Sequence, residues 1–494
     1  MNAKLCATVT GATTDEIRVR RDAAADADMV ELRLDYAREL DVAGVLADRA
    51  CPVVVTCRPL WEGGHFQGSE EERRRVLTRA YQLGADYVDL EWRAGFDDII
   101  KANDGRRIVL SAHDFKQVPV DLDGQFREMR ATGAEVVKIA VQAGALTDLV
   151  RLLDFSRQHR SEATGSRIVI GMGPAGIPSR VLPDLFGSCW TYAGQGVAPG
   201  QIELSHMLDE FRVRTLTTDT ELFGVVGSPL AHSLSPVMHN AGFGEIERDA
   251  VYLPLEATDV DDFERFATAF DVRGVSVTAP YKESMLSKVA STDDLSERVG
   301  AVNTIRMDST GWCGINTDGQ GFLAPLLGRI RLRGCRAVVL GSGGAARAVA
   351  TALVDEGASV TICARAMERA AAVARLVEGQ TAPIPPEPGT WDLLINTTPI
   401  GTYPNDDVSP MAGAELGGAL VYDLVYNPAV TRLLGDAAAA GCSTIGGLDM
   451  LVAQAERQFS WWTGSPPGSH TFRQAAERRL RISGQLETSH ADAS

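Results

Sequence analysis

Residues 134–143 read AEVVKIAVQA, and the fold turns on how the lysine inside that apolar run is explained. Val136, Val137, Ile139 and Val141 form the β-branched stretch expected of a strand buried on both faces of a parallel sheet. Burying an ammonium without a partner is expensive, so Lys138 has to be neutral, paired, or placed toward a strand end facing a cavity. A desolvated lysine has a lowered pKa, and its free amine can attack a ketone to form a Schiff base. The plainer alternative is a strand-end lysine whose stem is covered while its head reaches water.

Seven further runs of the same kind lie within residues 1–211: KLCATVT (4–10), MVELRLD (29–35), PVVVTCR (52–58), YVDLEW (87–92), RIVLSAHD (107–114), RIVIGM (167–172) and CWTYAG (189–194). Amphipathic segments such as EEERRRVLTRAYQLG (70–84) separate them. Eight strand–helix units in that length fit a (β/α)8 barrel, with an open doubly wound sheet as the alternative. Barrel active sites lie at the C-terminal ends of the strands. Glu31 and Arg33 end the second strand, Arg58 the third, and His113 with Asp114 the fifth. Lys138 lies toward the end of the sixth, and Arg180 follows the seventh and its loop.

The polar stretch RVRTLTTDT (212–220) breaks this rhythm and reads as a linker. A second α/β unit begins at ELFGVVGSPLAHSLSPVMHNAGF (221–243), with strands expected at 250–256, 272–280 and 301–305. At 336 a further unit opens with RAVVLGSGGAARAVATAL and continues through strands at 359–365, 391–398 and 419–426, a Rossmann half. The expected division is a barrel over 1–211, a linker over 212–220, a substrate domain over 221–330 completed by helices from about 447–462, a Rossmann domain over 331–446, and a tail over 464–494. In the tail, TFRQAAERRLRI (471–482) reads as a helix and SGQLETSHADAS (483–494) as disordered.

Gly341, Gly343 and Ala346 form a G-x-G-x-x-A turn between an apolar strand and an Ala-rich helix. With Gly344 and Ala345 they let the backbone approach a pyrophosphate at the helix N-terminus. A tight glycine turn of an ordinary β/α unit is the bland alternative. The next strand ends in Arg365, with Arg369 one turn on, where an NAD site usually carries an acid. Guanidinium groups suit a 2′-phosphate, so the expected cofactor is NADP.

The 494 residues hold 48 Lys plus Arg against 65 Asp plus Glu, a net charge of −17, which argues against broad nucleic-acid or anionic-membrane binding. The eight cysteines show no Cys-x-x-Cys pair and no metal-ligand spacing, so no metal is expected. Reduced thiols, no leader-like start and no membrane-length apolar run make a cytoplasmic enzyme the expectation, with oligomeric state left open.

Two resemblances add to this reading. Through ELRLD, TCRP with EGG, SAHDF, KIAV, PSR and APGQ, residues 1–211 resemble type I 3-dehydroquinate dehydratase. Through GSPLAHSLSPVMHN, SVTAPYK, GAVNT, GINTDGQG, GSGGAARA, YDLVYNP and GGLDMLVAQA, residues 221 to about 462 resemble shikimate dehydrogenase. The fusion is similar to bifunctional enzymes of the shikimate pathway. Such enzymes convert 3-dehydroquinate to 3-dehydroshikimate and reduce that product to shikimate with NADPH.

The first resemblance makes Lys138 the Schiff-base lysine and His113 the acid/base group, with Asp114 orienting or capping. Arg180 would hold the substrate carboxylate. Glu31, Arg33, Arg58 and Gln201 would contact hydroxyls and order the pocket, with Glu62 and Ser179 in covering loops. Val197 stands where the family often has serine. The second resemblance makes Lys282 and Asp318 a catalytic pair. Ser233, Ser235 and Tyr426 would bind the carboxylate, and Thr278, Asn303 and Gln454 the ring hydroxyls. Gly341, Gly343, Gly344, Ala345, Ala346, Arg365, Arg369 and Gly447 would line the cofactor. Ser276 and Ala364 stand where the family commonly has asparagine. A quinate-using dehydrogenase and a non-catalytic sensor built from the same modules are the competing readings.

Overall fold

The computed structural model describes residues 3–160, 165–194 and 196–482; the expected disorder over 483–494 lies outside them. The chain divides into two units. One holds Met1–Glu221 with Pro229–Ala231 and Asp249–Asp271, and the other holds Leu222–Ser228, His232–Arg248 and Val272–Ser494.

In the first unit, eight strands run in parallel: β1 (Lys4–Thr10), β2 (Met29–Arg33), β3 (Val53–Thr56), β4 (Tyr87–Glu91), β5 (Ile108–Asp114), β6 (Val136–Gln142), β7 (Ser166–Met172) and β8 (Trp190–Ala193). Neighbours follow chain order, and β1 also pairs with β8. That is a near-closed barrel rather than an open doubly wound sheet. At the β7–β8 seam, Cys189 N–H donates to the Arg167 carbonyl (2.9 Å), and the Ser188 hydroxyl serves both the N–H and the carbonyl of Val169.

The side-chain period of two builds the interior in ranks. Cys6, Met29, Val54, Val109, Val136, Ile168 and Trp190 pack as an apolar floor. Two residues further along each strand stand Thr8, Glu31, Thr56, Ser111, Lys138, Ile170 and Tyr192, with Asp89 on β4. This second rank is mostly polar. Lys138 is the third of seven residues in β6, so it lies in the strand rather than toward its end. Glu31 is likewise central in β2.

The helix Leu146–Gln158 follows the lysine strand, but Ala145 at its N-cap offers no side-chain acceptor. Asp262 supplies one from the segment 249–271 of the same unit, where β10 (Ala250–Glu256) leads into the helix Val260–Ala269. Its carboxylate accepts the N–H groups of Leu146 (3.1 Å), Thr147 (2.8 Å) and Thr258 (3.0 Å).

In the second unit, β9 (Glu221–Gly227), β11 (Val272–Val277), β13 (Thr304–Asp308), β14 (Gly311–Ile315) and β12 (Ser291–Thr292) lie side by side in that order. The strand expected at 301–305 begins at Thr304, although the Asn303 backbone still accepts from Val277 N–H (2.7 Å) and donates to the Ile315 carbonyl (3.2 Å). A parallel sheet follows, built from β15 (Arg336–Leu340), β16 (Ser359–Cys363), β17 (Gln380–Ala382), β18 (Leu393–Asn396), β19 (Leu420–Asp423) and β20 (Ser443–Ile445). Its order is β17-β16-β15-β18-β19-β20, the dinucleotide-binding arrangement, with the switch point beside β15. The helix Gly447–Thr463 packs on the helices Asp318–Leu323 and Ser235–Glu245. Phe472, Ala476 and Leu480 form the buried stripe of the last helix, Thr471–Ile482, so that part of the tail is packed structure. Among the described residues no helix is long and apolar enough to cross a membrane.

Asp262→Ala is expected to leave three N–H groups without their acceptor and to destabilise the first unit by about 2–3 kcal/mol. Hydrogen exchange over residues 146–150 should accelerate in step. Unchanged protection there would refute the capping role.

Candidate active sites

The first candidate site is a cavity of about 560 Å3 at the C-terminal ends of the barrel strands. Glu31, Arg33, Arg58, Glu62, His113, Lys138, Arg180 and Gln201 all line it. Of the residues singled out in the first half, Ser179 lies behind the cavity, where its hydroxyl joins Gly171 N–H to the Gly176 carbonyl.

Lys138 is 5% exposed and has a partner, since its Nζ lies 3.4 Å from Asp89 Oδ2. Asp89 is held in turn by Arg58 (3.0 Å) and by the Ser111 hydroxyl (2.5 Å). Arg58 also reaches Glu91 (2.8 Å) and Ser111 (2.8 Å), and Arg73, rising from the helix Glu70–Gln82, closes on the far side of Glu91. Burial alone would raise the Asp89 carboxyl. The Arg58 and Lys138 cations outweigh it and hold the group well below the usual carboxylate range. Glu91 goes the other way, pushed up by burial first and then by the neighbouring Asp89 charge.

His113 ends β5 and donates its backbone N–H to Glu62 Oε1 (2.9 Å), while its Nδ1 lies 3.2 Å from the same oxygen. Burial, reinforced by the Arg58 and Lys138 cations, holds its pKa well below 6.5. Glu62 is raised to about 7 by burial. Asp114 instead caps the following turn, accepting from Lys116 and Gln117. Arg33 is locked side-on to Asp35 (2.9 and 2.8 Å). Glu31 accepts from Thr8 (3.0 Å) and Thr56 (2.8 Å), and Gln201 donates to Thr8 (3.0 Å).

Arg180 stands apart from these pairs. Among the described residues its side chain has no carboxylate partner, one contact to the Pro199 carbonyl (3.0 Å), and a buried Nε that bonds to nothing. Burial lowers its pKa to about 10. Val197 faces the same cavity. The sequence reading missed Asp89, Glu91 and Ser111. Their signal was two acids at alternate positions of the buried strand YVDLE.

The second candidate site lies in the other unit. Lys282 Nζ is 2.5 Å from Asp318 Oδ2. The Asn303 amide donates to Asp318 Oδ1 (2.7 Å) and approaches Gln454 Oε1 (3.2 Å), while its own oxygen accepts Thr317 N–H (2.8 Å). Ser276 donates to Gln458 (2.7 Å), which donates to the Asn303 carbonyl (3.2 Å) and the Thr304 hydroxyl (3.0 Å). Lys282, Asp318, Asn303 and Gln454 thus form one hydrogen-bonded group. Ser233 and Ser235 sit in the turn after β9 and at the following helix start, Thr278 follows β11, and Tyr426 follows β19. Burial raises the Tyr426 hydroxyl pKa.

A groove of about 1060 Å3 runs beside the glycine turn and is lined by Ser342, Gly343, Glu283, Arg298, Val299, Gly300, Arg347 and Arg369. Gly341 has φ +119°, and a Cβ there would stand 2.4 Å from the Thr397 hydroxyl, so only glycine fits. The helix Gly344–Asp355 starts directly after this turn. A Cβ on Gly447 would strike the Leu424 carbonyl at 2.2 Å, so this glycine lets its helix close on the chain after β19. Arg369 lines the groove and Arg365 is exposed at the end of β16. Arg298 and Arg347, which the sequence reading missed, add two further cations, paired with Asp355 (2.7 Å) and Glu283 (2.6 Å).

Residues 5–217 match the family described as Type I 3-dehydroquinase. Residues 225–305 match the shikimate dehydrogenase substrate binding domain, and 447–477 the shikimate 5'-dehydrogenase C-terminal domain. The bifunctional 3-dehydroquinate dehydratase/shikimate dehydrogenase of Arabidopsis thaliana is 34% identical over 502 residues, covering 94% of this chain and 82% of that one. The chain belongs to this bifunctional family. The NADP(+) shikimate dehydrogenase of Methanosarcina mazei is 41% identical over 265 residues, 50% of this chain and 94% of that one. A crystal structure of a shikimate dehydrogenase in complex with NADP+ aligns with a TM-score of 0.51 at 33% identity, covering 54% of this chain and 97% of that one. Membership makes the chain an enzyme with a dehydratase (lyase) half and an NADP-dependent dehydrogenase (oxidoreductase) half.

Glu91→Gln would leave Arg58 and Arg73 buried with too little opposing charge. The expected cost is about 3–5 kcal/mol, read as an earlier urea transition of the barrel. A change below about 1 kcal/mol would show that the cluster is not held by this carboxylate.

Proposed function

We propose that Lys138 and His113 carry the dehydration of 3-dehydroquinate, and that Lys282 and Asp318 carry the reduction of the resulting 3-dehydroshikimate. The observation that supports this most is that one cavity presents the Lys138 amine, the His113 imidazole and a buried arginine with no carboxylate of its own. Arg180 takes the substrate carboxylate, a charge-assisted pairing its site otherwise lacks. Lys138 Nζ bonds to the C3 carbonyl carbon, and the resulting iminium draws electrons from the adjacent C2–H bond. Asp89, held ionised, stabilises the cation at that nitrogen. His113 removes the C2 proton and returns it to the departing C1 hydroxyl. Its depressed pKa keeps the imidazole unprotonated at neutral pH, with a ring nitrogen free to accept the proton. Glu62, when ionised, accepts from Nδ1–H and turns the Nε2 lone pair to the substrate.

In the dehydrogenase half, the glycine turn, the helix start and the arginines of the groove fit a phosphorylated dinucleotide. NADPH supplies the hydride when bound. Lys282, oriented by Asp318, delivers the proton to the carbonyl oxygen, and Asn303 and Gln454 hold the neighbouring ring hydroxyls. Ser233, Ser235 and Tyr426 take the carboxylate. Eight unpaired cysteines support a cytoplasmic setting.

With 3-dehydroquinate and NADPH, the purified chain should oxidise the nicotinamide. Lys138→Ala and Lys282→Ala should each abolish this. Added 3-dehydroshikimate should rescue the first variant and not the second. Turnover persisting in Lys138→Ala would sink the Schiff-base assignment.

The pH dependence follows from Glu62. Its pKa is raised to about 7, so lowering the pH through 7 protonates it and loosens its hold on His113. The His113 pKa lies well below 6.5, so its own protonation comes later. Dehydratase kcat/KM should fall on the acid side with an apparent pKa near 7, and Glu62→Gln should remove that limb. An identical limb in Glu62→Gln would exclude Glu62 as its source.

A further inference from the structure

Among the described residues, three polar atoms lining the dehydratase cavity are buried and have no hydrogen-bond partner: Arg180 Nε, Gln201 Oε1 and the hydroxyl of Tyr192. The first two belong to side chains already given to substrate recognition. Tyr192 has no such role. It is the third residue of β8, in register with Cys6 of β1, and only 3% exposed. Lys138 Nζ stands 4.2 Å from the centroid of its ring. Trp190 Nε1, two residues earlier, is also without a hydrogen-bond partner and is a donor only, so it offers the phenolic proton no acceptor. Phenylalanine would fill the same space without burying an unsatisfied hydroxyl. A costly polar atom beside a reacting nitrogen marks a group whose partner arrives with the substrate.

We propose that Tyr192 is a further catalytic residue of the dehydratase, its ring face holding the cationic nitrogen of Lys138 and its hydroxyl donating to the C3 oxygen of the substrate. The inference rests on the assignment of Lys138 as the Schiff-base residue. The Nζ–C3 bond forms, the C3–O bond breaks, and the oxygen leaves as water with two protons that come from the Lys138 ammonium. The phenol keeps its own proton throughout. It stabilises the negative charge that builds on the oxygen as the carbon is attacked. The face of an aromatic ring suits both the ammonium at the start and the iminium at the end.

The test is the rate at which borohydride traps substrate on the chain, read by intact mass, together with dehydratase kcat/KM and thermal unfolding. Tyr192→Phe keeps the ring and removes the donor. It should melt at or above the parent temperature, yet trap adduct and turn over about five- to tenfold more slowly. Tyr192→Leu, which also loses the ring, should be slower again. Parent-like trapping and kcat/KM in Tyr192→Phe would overturn the proposal while leaving Lys138 in place. A parent chain giving no adduct that Lys138→Ala abolishes would overturn both.

Discussion

The charge on Lys138, buried in the middle of β6, is the constraint around which the barrel interior is arranged. An isolated ammonium there would be prohibitively costly. Asp89 offsets it, but one carboxylate alone would only move the problem. Arg58 and Ser111 hold Asp89, Glu91 holds Arg58, and Arg73 from an outer helix holds Glu91. The network therefore runs from the Lys138 amine to the outside of the barrel, with each member's desolvation offset by the next. It also explains why the rank above the apolar floor is polar on most strands, where a barrel of this size could have filled it with valine and isoleucine.

The dehydrogenase half meets the same requirement with less burial. Lys282 is partly exposed, and Asp318 beside it is buried and fixed by Asn303. Asn303 in turn receives Thr317 and is carried by Gln458 through its backbone. A single carboxylate suffices because solvent already lowers the cost of the lysine. The difference fits the two chemistries. On the roles proposed above, the lysine that becomes covalently attached is enclosed with its neighbours, whereas the one that passes a proton is oriented but near water.

The β/α rhythm, the barrel and the Rossmann sheet were legible because each strand is a short β-branched run whose pattern is local. Lys138 stood out as a charge inside an apolar run, but a snorkelling lysine and a structural histidine explained Lys138 and His113 locally as well, and the roles of Lys138, His113 and Lys282 came from the family resemblances. Asp89 and Glu91 were not read as site residues, although their alternation in YVDLE was visible, because their meaning depends on Arg58 and Arg73 arriving from other elements. The short strands β12, β14, β17 and β20 were missed for a similar reason: runs of two to five residues leave almost no periodic signal. Ser276 reads as a departure in sequence, but its partner Gln458 lies 182 positions away. Placing Lys138 toward the end of its strand treated exposure as the cheapest way to keep a charge, when a buried counter-charge was the one used.

Within the barrel cavity the polar atoms fall into two groups, and the split has a physical basis. Atoms that hold the architecture are satisfied by protein: Glu31 by two threonines, Arg33 by Asp35, Asp89 by three partners. Arg180 Nε, Gln201 Oε1 and the Tyr192 hydroxyl are not. An unsatisfied buried donor or acceptor costs stability in the folded chain and returns it when a ligand supplies the missing partner. A purely structural position would shed such an atom, because an apolar replacement of the same shape is no worse and often better. Three such atoms on one cavity lining concentrate its unmet hydrogen bonding where, on the proposed function, a polyhydroxylated carboxylate would sit.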